Sequence, residues 1–213
     1  MHSSPFPAKM SNKHADRRTG GAASRFTACR EKGQAAACRG KGACAGAHGT
    51  DAMIKILCVG KMKDRALQSV SDEYVKRISP FAKVEVIEVR DEPNAHAGRP
   101  AEAARIVDAE AVRAAAKLRD TDLAVLLDLH GKMWDSEGFA RELGSWQQRA
   151  GQKGGDLVFA IAGSLGPGAA LLARADVRWK LSDLTFTHLL TRVLVLEQIY
   201  RACMILHGRT YHK

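Results

Sequence analysis

Leu157-Val158-Phe159-Ala160-Ile161-Ala162-Gly163-Ser164-Leu165-Gly166-Pro167-Gly168 is the stretch on which the reading of the fold turns. Its first six residues are an unbroken apolar run, of strand length and with no polar face, and Gly163 ends it. A strand apolar on both sides is buried on both sides, which is the signature of a parallel sheet covered by helices. The glycines after it form a loop at the strand's carboxyl end, and Ala169 to Ala175 predicts a short helix.

Outward from there the pattern repeats. Leu123 to Leu129 is another apolar strand, followed by His130-Gly131-Lys132. Ser136 is placed to cap a helix running to about Arg149, in which Phe139, Leu143 and Trp146 share a face. Earlier, Ile54 to Val59 reads as a strand ended by Gly60. Asp64 to Ile78 has helical spacing and stops before Pro80. Val84 to Val89 is a strand, Asp91 to Pro100 a polar loop, and Ala101 to Leu118 an Ala-rich helix. Beyond the glycines, Val177 to Leu181 is a fifth strand and Thr187 to Leu206 a final helix. The order predicts an α/β domain: a parallel sheet of about five strands with helices on both faces.

The final helix is apolar almost all round, too much so for a surface position. It is either central to the fold or part of a dimer interface. Leu189, Val193, Leu196, Tyr200 and Cys203 recur at three- to four-residue spacing, which predicts the seam of a two-fold contact.

The chain has 213 residues, of which 46% are hydrophobic and 26% charged. These values exclude a wholly disordered or fibrous chain. No run reaches the length of a membrane helix, since Arg192, Glu197, Gln198 and Arg201 interrupt the most apolar stretch. Five cysteines at irregular spacing are no disulfide framework. The reading is a soluble intracellular protein. The formal charge of +10 is uneven, because residues 1–52 carry nine basic side chains against three acidic ones. That segment has no apolar period and is expected to be a disordered basic extension. Its Arg/Ala/Ser bias suits an organellar transit peptide, an upstream start with Met53 as the true one, or a plain extension. The domain runs from Met53 to Lys213.

In open parallel sheets ligands bind beyond the carboxyl ends of the strands. The loops Leu127 to Lys132, Ala162 to Gly168 and Leu181 to Thr187 hold that position. The glycine spacing is neither the dinucleotide pattern nor a phosphate-binding P-loop, and the hydrolase elbow is absent. No histidine or cysteine set has metal-ligand spacing, Cys29, Cys38 and Cys44 included. His188 and Arg192 lie four apart, on one face near a helix start. Together they suit an anionic or nucleobase ligand; singly, each suits a capped or paired helix end. Arg201 and Glu197 read as an i, i+4 pair, and Tyr211-His212-Lys213 as a frayed terminus.

In this order the pieces resemble the RlmH family, the ribosomal RNA large-subunit methyltransferases H of the SPOUT superfamily. The resemblance covers the body from Met53 to Lys213. It is carried by Met53-Ile54-Lys55-Ile56-Leu57-Cys58-Val59-Gly60-Lys61, Leu127-Asp128-Leu129-His130-Gly131-Lys132, Ser136-Glu137-Gly138 and Ile161-Ala162-Gly163-Ser164-Leu165-Gly166. It continues in Leu181-Ser182-Asp183-Leu184-Thr185-Phe186-Thr187-His188, Arg192-Val193-Leu194, Glu197-Gln198-Ile199-Tyr200-Arg201-Ala202 and Tyr211-His212-Lys213. The family usually has glycine where Ala162 stands and often proline where Thr187 stands.

The resemblance implies a homodimer with a C-terminal trefoil knot that binds S-adenosylmethionine. It implies methylation of N3 of a pseudouridine in the helix 69 loop of 23S ribosomal RNA, on the assembled ribosome. Cofactor contacts then fall on Leu127, Ala162, Gly163 and on Leu181, Ser182, Asp183, Leu184, Thr185 and Phe186. His188 becomes the candidate for orienting the base or accepting its proton. Arg192 and Arg201 become candidates for holding phosphate or the base edge, and Tyr211 and His212 for closing over the base from the partner subunit. It implies neither metal nor membrane, and a cytoplasmic site, or an organelle if residues 1–52 are a transit peptide. The rival readings are a non-catalytic RNA- or ribosome-binding module and a SPOUT enzyme acting on transfer RNA.

Overall fold

The computed structural model describes residues 52–93 and 99–211. The basic segment 1–51 and His212 lie outside the described residues. Ala52, just ahead of the expected domain boundary, is buried.

The elements are β1 (Ile54–Val59), α1 (Arg65–Ile78), β2 (Val84–Val89), α2 (Pro100–Ala115) and β3 (Leu123–Lys132), then α3 (Ser136–Gln152), β4 (Leu157–Ile161), α4 (Ala169–Arg174), β5 (Val177–Trp179) and α5 (His188–Leu206). The strands form one five-stranded parallel sheet in the order β2-β1-β4-β3-β5. This is the α/β architecture that the apolar runs predict. β4, wholly buried, sits at the centre between β1 and β3, as its lack of a polar face requires. Edge strand β2 is mostly open to solvent.

Alternate side chains of each strand feed opposite layers. Ile54, Ile56 and Cys58 join Phe139, Trp146, Phe159, Leu196 and Ile199 on one face, beneath α1, α3 and α5. Leu57 and Val59 join Val158, Ala160, Ala111 and Leu171 on the other, beneath α2 and α4. The first layer is held by aromatic contact, with Phe139 stacked on Trp179 at 4.3 Å between centroids.

Local chemistry sets the helix starts. Asp64 caps α1, accepting from the amides of Ala66 and Leu67. Asp135 caps α3 through the Gly138 amide at 2.6 Å, so the cap is one residue ahead of Ser136, where the sequence placed it. Proline opens α2, where its missing N–H costs no helical bond. β3 runs beyond Leu129 to Lys132, because past an irregularity its tail pairs again with Trp179.

Helix α5 lies between α1 and α3. Of the residues expected to form an intersubunit seam, Val193, Leu196 and Cys203 are instead buried in the chain's own core. Spacing on a helix apolar all round cannot say which stripe faces inward. Leu190 stays on the outer side, 36% exposed. Among the described residues no helix is long and apolar enough to cross a membrane.

Candidate active site

At the carboxyl end of the sheet the three predicted loops converge around a cavity of about 1000 Å³. Leu127 enters from β3, Ala162 and Gly163 from the end of β4, and Leu181, Ser182, Leu184, Thr185 and Phe186 from the link between β5 and α5. Asp183 does not line it; its carboxylate turns back to Lys180. The site is therefore made where three neighbouring parallel strands end, the usual place for a ligand in an open α/β sheet. Leu127, Ile161, Leu165, Leu172 and Leu181 make apolar walls, and Ser164, Ser182 and Thr185 add polar groups.

The linking segment is braced rather than loose. The Leu184 amide donates to Ser182 Oγ at 3.0 Å, while the Leu184 side chain is 69% exposed. Thr187 caps α5, its hydroxyl accepting from the Leu190 amide at 3.4 Å and its carbonyl from Thr191 Oγ1 at 3.0 Å. A proline here would stiffen the entry to α5; threonine does the job with a side-chain cap.

His188, the first residue of α5, borders the large cavity and also a smaller, polar one of about 360 Å³. Gly60 lies beside its ring. With φ at +91° that position suits glycine, and a Cβ there would lie 3.4 Å from His188 Nε2.

Arg192 points inward, lines neither cavity and is 2% exposed. It donates to Glu88 Oε1 at 2.8 Å and to the Gly60 carbonyl at 3.1 Å, tying α5 to the ends of β1 and β2. Partial burial pushes the Glu88 carboxyl up, but hydrogen bonds from Arg192 and the Met62 amide outweigh it and hold it below the usual range. Burial pushes the neighbouring Cys58 thiol up to about 11, so it is no nucleophile at neutral pH.

Arg201 and Tyr211 sit at the far end of α5, about 20 Å along the axis from His188, and line neither cavity. Arg201 pairs with Glu197 at 2.6 Å and lies 4.9 Å over the Tyr211 ring, which in turn packs edge-on against Tyr200. The structure thus separates His188 from Arg201 and Tyr211 within one chain.

Sequence reasoning passed over several groups that the fold brings to these cavities. Asp128 and Arg178 form an ion pair on the wall of the large one. Burial raises the Asp128 carboxyl, and the His130 amide and Arg178 more than offset it, so it lies low. Lys63, Asp91 and Glu110 line the small one. A visible signal existed for Glu110: a carboxylate on the apolar face of α2 beside Ile106, Ala111 and Ala114. Among the described residues no group of three or more His, Cys, Asp or Glu is placed to hold a metal ion.

Comparison with known proteins gives this site its relatives. Residues 53–212 match the family model described as "Predicted SPOUT methyltransferase". A protein of Desulforamulus reducens named ribosomal RNA large subunit methyltransferase H is 44% identical over 160 residues, 75% of this chain and 98% of its own. Proteins of the same name from Carboxydothermus hydrogenoformans and Latilactobacillus sakei are 43% and 42% identical, each over 75% of this chain and 99% of their own. With the family model spanning the whole sheet and its three site loops, the chain belongs to the SPOUT methyltransferases, in their RlmH family.

Proposed function

We propose that this chain is the S-adenosylmethionine-dependent enzyme that methylates N3 of a pseudouridine in the helix 69 loop of 23S ribosomal RNA. Its substrate is the assembled ribosome, its working form a cytoplasmic homodimer, and its site loops the crossing of a trefoil knot. The observation that carries the reading is the convergence of loops 127–132, 162–168 and 181–187 on one cavity, in a chain whose relatives at 42–44% identity are named as ribosomal RNA methyltransferases. The cavity fits the cofactor. Its apolar walls suit a flat purine, and backbone and hydroxyl groups at its rim suit the sugar and the adenine edge.

The cofactor, when bound, supplies a methyl on a sulfonium, a leaving group that needs no metal. For that transfer the chain would have to hold N3 in line with the methyl and accept the N3 proton. The chain's work is alignment and proton removal. His188, on the border of both cavities, is the group in position to take that proton. Arg192 acts through position: it fixes the first turn of α5, and with it the His188 ring. Arg201 and Tyr211, too far along α5 to serve their own cavity, serve the partner's, and the family resemblance adds His212 to them. The exposed Leu129, Met133, Leu184 and Leu190 lie on the loops and helix end around the cavity and offer apolar area for that two-fold contact.

Mass spectrometry of ribosomal RNA from a strain lacking this gene tests the reading. The N3-methyl mark on the helix 69 pseudouridine should be lost and should return with the gene on a plasmid. An unchanged mark would refute the assignment.

A further inference from the structure

The smaller cavity lies between the ends of β1 and β2, α2 and the start of the glycine loop, and shares Gly163, Ser164 and His188 with the larger one. Anything seated in it is therefore next to the cofactor loop. Its chemistry is distinct, since Lys63, Asp91 and Glu110 face it.

Glu110 is the unusual group. It is 6% exposed, and one carboxylate oxygen accepts from the Glu92 amide at 2.9 Å. The other has no protein donor among the described residues and lies against the glycine loop. A Cβ built on Gly163 would stand 2.4 Å from it. Only glycine at 163 lets the carboxylate reach the wall between the two cavities. Glu92 is already engaged by Arg113. The cavity reaches this second oxygen, which is free to accept an N–H or O–H from a molecule seated there.

We infer that this cavity receives the flipped target base, and that the carboxylates of Glu110 and Asp91 accept its ring N1–H while Lys63 donates to a carbonyl oxygen. The inference rests on the function proposed above and adds the residues that read the base. Enzymes that act on a base take it out of its stack into a pocket, and about 300 Å³ is enough for a small flat ring. The carboxylates disfavour a phosphate, so the pocket recognises the base and not the backbone. They also distinguish bases. A pseudouridine ring carries two N–H groups, whereas uridine uses N1 for its glycosidic bond and has one. With N3 turned to the shared wall, where His188 and the cofactor loop meet, N1–H is left for the acidic side.

The test measures methyl transfer by the full chain to ribosomes bearing pseudouridine at the target and to ribosomes made with uridine there, alongside calorimetric affinity for S-adenosylmethionine. Glu110→Gln should keep cofactor affinity within about threefold while kcat/KM on pseudouridine ribosomes falls roughly 10- to 100-fold and the preference over uridine narrows. Asp91→Asn, at an exposed position that leaves the core alone, should shift the preference in the same direction and covers the case of a Glu110 variant that does not fold. Cofactor affinity lost in step with activity would assign the cavity to the cofactor's amino-acid end and overturn the inference. So would an unchanged preference in both variants. A wild-type chain that transfers no methyl to either ribosome would instead bring down the proposed function itself.

Discussion

The two ends of α5 are built differently. At its start, Thr187 caps the helix and the fully buried Arg192 binds it to Glu88 and to the Gly60 carbonyl, across more than half of the domain's sequence. At its far end, Glu197, Arg201, Tyr200 and Tyr211 form a cluster on the surface, joined by one ion pair and ring contacts. The first arrangement fixes the His188 ring at a cavity. The second leaves its side chains away from both cavities of their own subunit. In the function proposed above, α5 serves two sites, one from a rigid end and one from an adaptable end.

Breaking the rigid end should have the largest effects. His188→Ala should lower methyl transfer by about 10²- to 10⁴-fold, the usual range for loss of an acid–base group, with cofactor affinity and melting temperature nearly unchanged. Retained activity in single-turnover assays would move the proton acceptor elsewhere. Arg192→Met should destabilise the domain by about 2–4 kcal/mol in urea titration, because Glu88 and the Gly60 carbonyl lose their donor. A loss under about 0.5 kcal/mol would show the tie to be ornamental.

Smaller effects sharpen the picture. Leu184→Pro should weaken S-adenosylmethionine binding at least about tenfold by removing the amide that braces the loop, while Leu184→Ala, at a solvent-facing side chain, should change it little. Equal affinities in calorimetry would remove this loop from the cofactor site. Thr187→Ala should cost about 1 kcal/mol of stability as the cap of α5 is lost. The pH dependence is the mildest. Glu88 and Asp128 lie below the usual carboxylate range when folded, so their contribution is present above the unfolded carboxylate value and is lost as pH falls through the lower folded one. Acid titration should show stability falling below about pH 4, with the Glu88 share reduced in Arg192→Met, where only the Met62 amide still bonds it.

The sheet was legible because β1, β3 and β4 are buried on both faces, and an apolar run with a glycine after it can be little else. The cavity loops were legible for the same reason, since strand ends place them. Capping by Asp135 was missed because Asp and Ser stand side by side and both can cap. The seam on α5 was misread because a helix apolar all round gives no phase; which stripe is inner depends on α1 and α3. Arg192 read as a ligand-facing cation, since nothing local reveals a partner as distant as Glu88. Arg178 escaped notice because β5 is too short for a pattern, and its meaning depends on Asp128 in another strand.

The contrast between the ends of α5 is tested most directly by mixing two kinds of defective subunit. One carries His188→Ala and an intact terminus; the other keeps His188 but lacks residues 211–213. Each alone should be inactive on ribosomes. If the far end of α5 serves the partner's cavity, the purified mixed dimer has one complete site and should show about half of wild-type activity. A mixed dimer as inactive as its parents would contradict the account.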